Sequence, residues 1–208
     1  MSDSLSWSIP ANEYRRERWR NQFGWTREIV RMRRDAAGLD RPCEDEGEDW
    51  DWRLSIAEIE RDAPFSAFPG IDRELVLLSG NGLRLRFDDG ESHELLPPHD
   101  KLRFAGERTV QGELLDGPTH DFNLMWRRDR VRAELWHRPL VGPMVLFAEP
   151  GQTWAVHLLA GQARFADDSS LPPLQMGDTA FLAAGSERLR GVLDGGGEVL
   201  LVRVAALD

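Results

Sequence analysis

A chain of 208 residues, 41% hydrophobic and 30% charged, carries enough apolar material for one large core or two small ones. Its formal net charge of -10 opposes docking on nucleic acid, and the arginine-rich stretch from Arg15 to Arg34 is offset by Glu17, Glu28 and the acidic run from Glu44 to Asp51. The single cysteine, Cys43, excludes an intrachain disulfide, and its acidic neighbours Glu44, Asp45 and Glu46 disfavour a reactive thiolate. The first residues do not place a basic stretch before an apolar one, and no apolar run approaches the ~20 residues of a membrane helix. The expectation is a soluble, cytoplasmic protein with no membrane and no nucleic-acid partner.

In chain order, Asn12 to Arg20 shows the one trace of helical periodicity and predicts a short helix there. Asp35 to Asp49, acidic and aperiodic, predicts a solvated loop. From Trp50 to Ile59 the pattern alternates, with Trp52, Leu54 and Ile56 on one face and Arg53, Ser55 and Ala57 on the other. Leu83, Leu85 and Phe87 alternate in the same way with Arg84 and Arg86. Each pattern predicts a strand with one buried face. The pairs Asn81-Gly82, Asp89-Gly90, Asp116-Gly117, Gly177-Asp178 and Asp194-Gly195 supply turns, and Gly195-Gly196-Gly197 reads as a hairpin turn between two strand-like runs. Many short strands separated by turns predict an all-β sandwich or barrel.

Three collinear blocks repeat at an offset of about eighty residues. Leu77-Leu78-Ser79-Gly80 is echoed by Leu158-Leu159-Ala160-Gly161, and Glu94-Leu95-Leu96-Pro97-Pro98 by Leu171-Pro172-Pro173-Leu174. Gln111 to Gly117 is echoed by Arg190 to Gly195. The repeat predicts two jelly-roll barrels in tandem, one in residues 1–140 and the other in residues 141–208.

Gly151, His157, Gly161, Gly177-Asp178 and Gly185 resemble the skeleton of the two cupin motifs. The metal ligands of that superfamily do not follow. Leu158 and Leu159 occupy the places after His157, Arg188 or a neighbour takes the later histidine position, and Val76 stands where the first half would match His157. A catalytic metal needs about three protein ligands, so neither a metal nor another cofactor is expected. A cluster of His93, His99 and His120 is the alternative, weighed against separate, satisfied histidines. There is no Gly-x-Ser-x-Gly elbow and no phosphate-cradling glycine loop before a helix.

Longer segments resemble the HutD/Ves family in that family's order: Trp19-Arg20-Asn21, Thr26-Arg27-Glu28-Ile29, Trp52 to Ala57, Phe65 to Arg73 and Asp121 to Met125. The resemblance implies a bicupin fold and a protein that accompanies histidine degradation or stress induction, with no settled chemistry. One departure stands out, because the family's run of three glycines is replaced here by Gln22, Phe23 and Gly24. If that run brings backbone close to a ligand, Phe23 reshapes the pocket.

Arg53 and Ser55 share a strand face, as do Asp121, Asn123 and Arg127, and an arginine fork with Ser and Asn donors suits a small carboxylate. Trp19, Trp25, Phe65, Phe68 and Trp126 are candidate apolar walls. Asn21, Phe23, Thr26 and Glu28 join the candidate ligand-binding residues from the family segments, and His120, just before the last segment, is a further candidate. So does Arg73, unless it pairs with Asp72 to lock the Phe-Pro-Gly turn. Arg127 and Arg128, beside Asp129, read rather as solvated.

The leading expectation is a non-catalytic protein that binds a small acid such as urocanate or formylglutamate and regulates or buffers histidine utilisation. Two alternatives stay open. One is a metal-free isomerase or lyase acting on a sugar or organic acid and using His120, Asp121 or Glu28 for proton transfer; the other is a stress-related interaction protein. Pairing into a homodimer through a sheet edge or face is compatible with either.

Overall fold

The computed structural model describes residues 4–43, 47, 49–166 and 169–207. Among these the chain is all-β, with seventeen strands and one short 3-10 turn at Ala11–Glu13. The strands form two cupin-like barrels, a bicupin. No helix among the described residues is long and apolar enough to cross a membrane.

Barrel I comprises residues 15–31 and 50–129, and barrel II comprises residues 1–14, 32–49 and 130–208. The division therefore falls at 129/130 rather than at 140, and the N-terminal segment belongs with the C-terminal barrel. Strand pairing supplies the reason. Strand β1 (Leu5–Ile9) pairs with β16 (Thr179–Ala183), and β13 (Val131–Val141) pairs along its whole length with β17 (Leu189–Ala206).

Barrel I has two sheets. The larger runs in the order β10 (Lys101–Ala105), β7 (Ile71–Ser79), β12 (Thr119–Arg127), β5 (Trp52–Ile59), β3 (Gly24–Arg34) and β2 (Arg15–Arg18). The smaller runs β6 (Ala63–Pro64), β11 (Val110–Leu114), β8 (Leu83–Phe87) and β9 (Ser92–Leu95). Ile59, Leu75, Leu77, Leu83, Leu85 and Val110 form the core, each worth roughly 1.5–3 kcal/mol of burial. Arg84 points outward to Glu94 and Glu113, as its alternation with the leucines predicts.

In barrel II, β15 (Gln152–Phe165) lies between β16 and β17, and β14 (Met144–Ala148) pairs with the first part of β17. Its interior is aliphatic: Val156, Leu158, Phe165, Leu182, Val199 and Leu201 pack together. Trp7 stacks on Phe181 at 4.9 Å, and Trp136 meets Trp154 at 5.7 Å.

Several sequence expectations need correction. The triple glycine makes no hairpin, since β17 runs through Gly195 to Gly197 unbroken, paired to β15 on one side and β13 on the other. A Cβ on Gly161 would overlap the Gly196 carbonyl, and one on Gly197 would overlap the Ala160 carbonyl. The glycines are there for close strand contact.

The predicted helix at Asn12 to Arg20 is only one 3-10 turn. It is followed by β2, whose Arg16 and Arg18 bind Glu58 and Glu60. The stretch from Asp35 to Asp49 is not all loop. Its strand β4 (Asp40–Pro42) pairs with β3, and buried Asp40 takes both an Nε and an Nη bond from Arg34 at 3.0 and 3.2 Å. Residues 44–46 and 48, and with them most of the acidic run, lie outside the described residues.

Candidate functional site

Strand register builds a polar lumen in barrel I. Neighbouring residues across β5, β12 and β7 form three rows on one face: Arg53–Met125–Arg73, Ser55–Asn123–Leu75 and Ala57–Asp121–Leu77. The polar half of the Trp52–Ala57 alternation therefore faces not solvent but the inside of the barrel, where Ser55 is only 2% exposed. A cavity of about 560 Å3 opens over these rows, lined by Arg53, Met125 and Arg73 of the first, Ser55 and Asn123 of the second and Ala57 of the third. Trp19, Phe65 and Phe68 wall it, Thr26, Ser55 and Asn123 give it polar groups, and Arg18, Arg20 and Asn21 stand at its mouth.

Arg73 dominates its electrostatics. The side chain is buried, and its guanidinium is framed by the rings of Phe65, Phe104 and Phe68 at 5.2, 5.3 and 5.6 Å. Nη1 donates a long bond, 3.4 Å, to the Ser66 carbonyl, and Nε has no partner. No carboxylate among the described residues reaches it. Burial, and secondarily the charge of Arg53, pull the guanidinium down to about 10, so it stays charged at neutral pH at a cost in stability. Arg53 is better balanced, because its Nε donates to Glu28 at 2.8 Å and Glu28 also accepts from Arg31 at 2.9 Å.

Two further buried groups belong to the lumen. Asn123 Oδ1 is buried without a hydrogen bond. Asp121 is fully buried; its Oδ2 accepts from the Thr119 hydroxyl at 3.0 Å and its Oδ1 has no partner. Burial pushes this carboxyl up to about 7, against the smaller opposing effect of the Thr119 bond.

Of the candidate residues, Trp19, Asn21, Thr26, Arg53, Ser55, Phe65, Arg73 and Asn123 meet around this cavity. Glu28 stands behind Arg53 as its counter-ion. His120 is exposed at the start of β12, away from the lining. Phe23 is not a lining residue either; its amide bonds to Asn21 Oδ1, and its carbonyl accepts from the amides of Glu60 and Arg61. The important glycine is Gly24, where a Cβ would collide with the Glu58 carbonyl and crowd the Trp19 ring. That ring is held by a 2.9 Å bond from its Nε1 to Thr26 Oγ1. Gln22 sits at φ 62, a conformation that favours glycine.

Two expected walls lie elsewhere. Trp25 packs under Arg16 and Arg18, and Trp126 is fully buried beneath Arg103. Asp72 pairs with Arg103 and Arg128, which frees Arg73 to turn inward. Arg127 donates to the Trp50 carbonyl and Arg128 to Glu107, so neither is simply solvated. The mouth residues Arg18 and Arg20 and the lining residue Met125 escaped the sequence reading. The parity of β12 alone could have added Met125.

The histidines do not form the cluster considered from sequence. His93 bonds Glu91, and His99 Nδ1 lies 3.1 Å from the Leu77 carbonyl. In barrel II, His157 is buried and its Nδ1 is 2.9 Å from Thr179 Oγ1, which also bonds the Tyr14 hydroxyl at 2.7 Å.

An all-β bicupin with one aliphatic barrel and one holding an arginine-lined cavity has the form of a cupin-superfamily protein. The chain belongs to the HutD family, whose model matches residues 11–201. It is 34% identical to Protein Ves of Cronobacter sakazakii over 91% of this chain and 93% of that protein. It is 41% identical over 127 residues to an uncharacterised 21.2 kDa Pseudomonas putida protein from the hutC 3' region, a match spanning 61% of each chain. Among solved structures it is similar to HutD of Pseudomonas fluorescens SBW25, determined under a formate condition. That match has a TM-score of 0.80 and 28% identity, covering 98% of this chain and all of that one.

Proposed function

We propose that this protein binds a small organic carboxylate in the cavity of barrel I, without transforming it, and thereby regulates or buffers histidine utilisation. The observation that carries this reading is Arg73, a buried cation with an unpartnered Nε on the lining of a cavity. A ligand carboxylate would supply the missing acceptor, and charge-assisted bonds of this kind are among the stronger ones. Arg53 lies beside it, and Ser55, Thr26 and Asn123 offer orienting bonds. Trp19, Phe65 and Phe68 suit an apolar or planar body, and the volume is in the range of small-ligand pockets. The link to histidine utilisation draws on the family and on the named surroundings of the Pseudomonas putida relative. Formate, urocanate and formylglutamate are the acids of interest.

The test is a thermal-shift and calorimetric screen of these three acids against the wild type and Arg73→Met, with circular dichroism to check the fold. An acid that raises the melting temperature of the wild type but not of the variant is the expected result. No shift with any acid at tens of millimolar would remove the proposal, and so would equal shifts in both proteins.

A further inference from the structure

The lumen of barrel I holds one buried acid that carboxylate binding does not use. Asp121 occupies the third row, two residues along β12 from Asn123 and four from Met125. Its neighbour across β5 is Ala57 and across β7 is Leu77. The smaller sheet contributes apolar Leu83 and Leu85 of β8 and Val110 of β11 to this interior. On its own strand Thr119 donates to one carboxyl oxygen, and the other has no partner. The charged groups elsewhere on the lumen are Arg53 and Arg73, with Glu17, Arg18 and Arg20 at the mouth. None of them bonds Asp121.

We propose that Asp121 is a proton site linked to the anion site, so that the protein takes up a proton there when a carboxylate binds beside Arg73. This rests on the carboxylate reading given above. Arg53 shares Glu28 with Arg31, so the lumen is net positive when Asp121 is neutral, and a bound carboxylate offsets that charge. When Asp121 is ionised it already offsets part of that charge, and it repels the carboxylate. The strand rise puts Asp121 roughly 7–13 Å from the groups of the first two rows. At that separation and an effective dielectric near 20, repulsion between the two anions lowers affinity by about tenfold. Burial of the carboxyl sets the transition near neutrality. The cavity lining includes no histidine or cysteine, the side chains that ordinarily titrate between pH 6 and 8.

The experiment is calorimetric titration of formate, ionised throughout this range, into the wild type and Asp121→Asn at pH 6, 7 and 8. Each titration is run in two buffers of different ionisation enthalpy, so that proton uptake is read directly. The wild type should lose about fivefold in affinity from pH 6 to pH 8, the part of the tenfold limit that falls in this window, and take up protons between pH 7 and 8, while the variant stays flat. Binding with no pH dependence and no proton uptake overturns the link but leaves the carboxylate reading standing. The same slope in Asp121→Asn also overturns it, and no binding at any pH overturns both. If the variant does not fold, carboxyl carbon-13 NMR of the wild type decides. An Asp121 midpoint near neutrality that rises with formate supports the link, and one in the ordinary carboxylate range ends it.

Discussion

The repeat register aligns β7 of barrel I with β15 of barrel II, and the two strands use the same slots differently. Leu75 and Leu77 correspond to Val156 and Leu158, and all four lie in their barrels' cores. One slot earlier, Arg73 corresponds to Trp154. In barrel II that slot holds an indole packed against the aliphatic core, its Nε1 donating to the Phe147 carbonyl at 2.9 Å. In barrel I it holds a buried cation with an unpartnered nitrogen. A duplicated strand can thus keep its apolar rows while one slot holds an indole packed on the core in one barrel and a cavity-lining cation in the other. The filled barrel gains packing energy. The other gives some up to hold a buried cation with an unpartnered nitrogen.

The contrast can be broken at three points, from the largest effect to the smallest. Leu158→Ala should destabilise the protein by about 3 kcal/mol in urea unfolding, because a tightly packed aliphatic interior relaxes little around the lost atoms. A cost below about 1 kcal/mol would mean that barrel II is loosely filled after all. Arg73→Met should act in the opposite direction, stabilising the ligand-free protein by about 1–2 kcal/mol while abolishing carboxylate binding, since it removes an uncompensated buried cation. A destabilised variant would show that Arg73 holds the barrel together rather than waiting for a ligand. Gln22→Gly, in the turn behind Trp19, should stabilise by up to about 1 kcal/mol by relieving a positive φ. Unchanged carboxylate affinity in that variant would separate the turn's strain from the cavity's chemistry.

The all-β class, the tandem barrels and much of the cavity were legible in the sequence for one physical reason: a strand shows its two faces as alternate residues. Arg53 and Ser55 were assigned to one face of β5 and Asn123 to one face of β12, and the register brings those faces together. Alternation could not say that the polar face points inward, because a closed barrel and an open sheet share the same period. It also could not separate Trp19, which walls the cavity, from Trp25, which packs under two surface arginines. The triple glycine is ambiguous in sequence because hairpins and close strand crossings both demand glycine. Only the nearby Gly161 on β15 distinguishes them, and it is far off in sequence. Asp121 was visible as a candidate acid, but its burial depends on Ala57 and Leu77 from two other strands.

The pairing of β1 with β16 also bears on how the chain is made. Leu5 to Ile9 emerge from the ribosome well before their partners, Thr179 to Ala183, which follow more than a hundred and fifty residues later. All of barrel I, complete by residue 129, can condense in that interval. Until then β1 waits without its strand partner, open to chaperones or to other nascent chains. In this protein β1 is synthesised early and secured late.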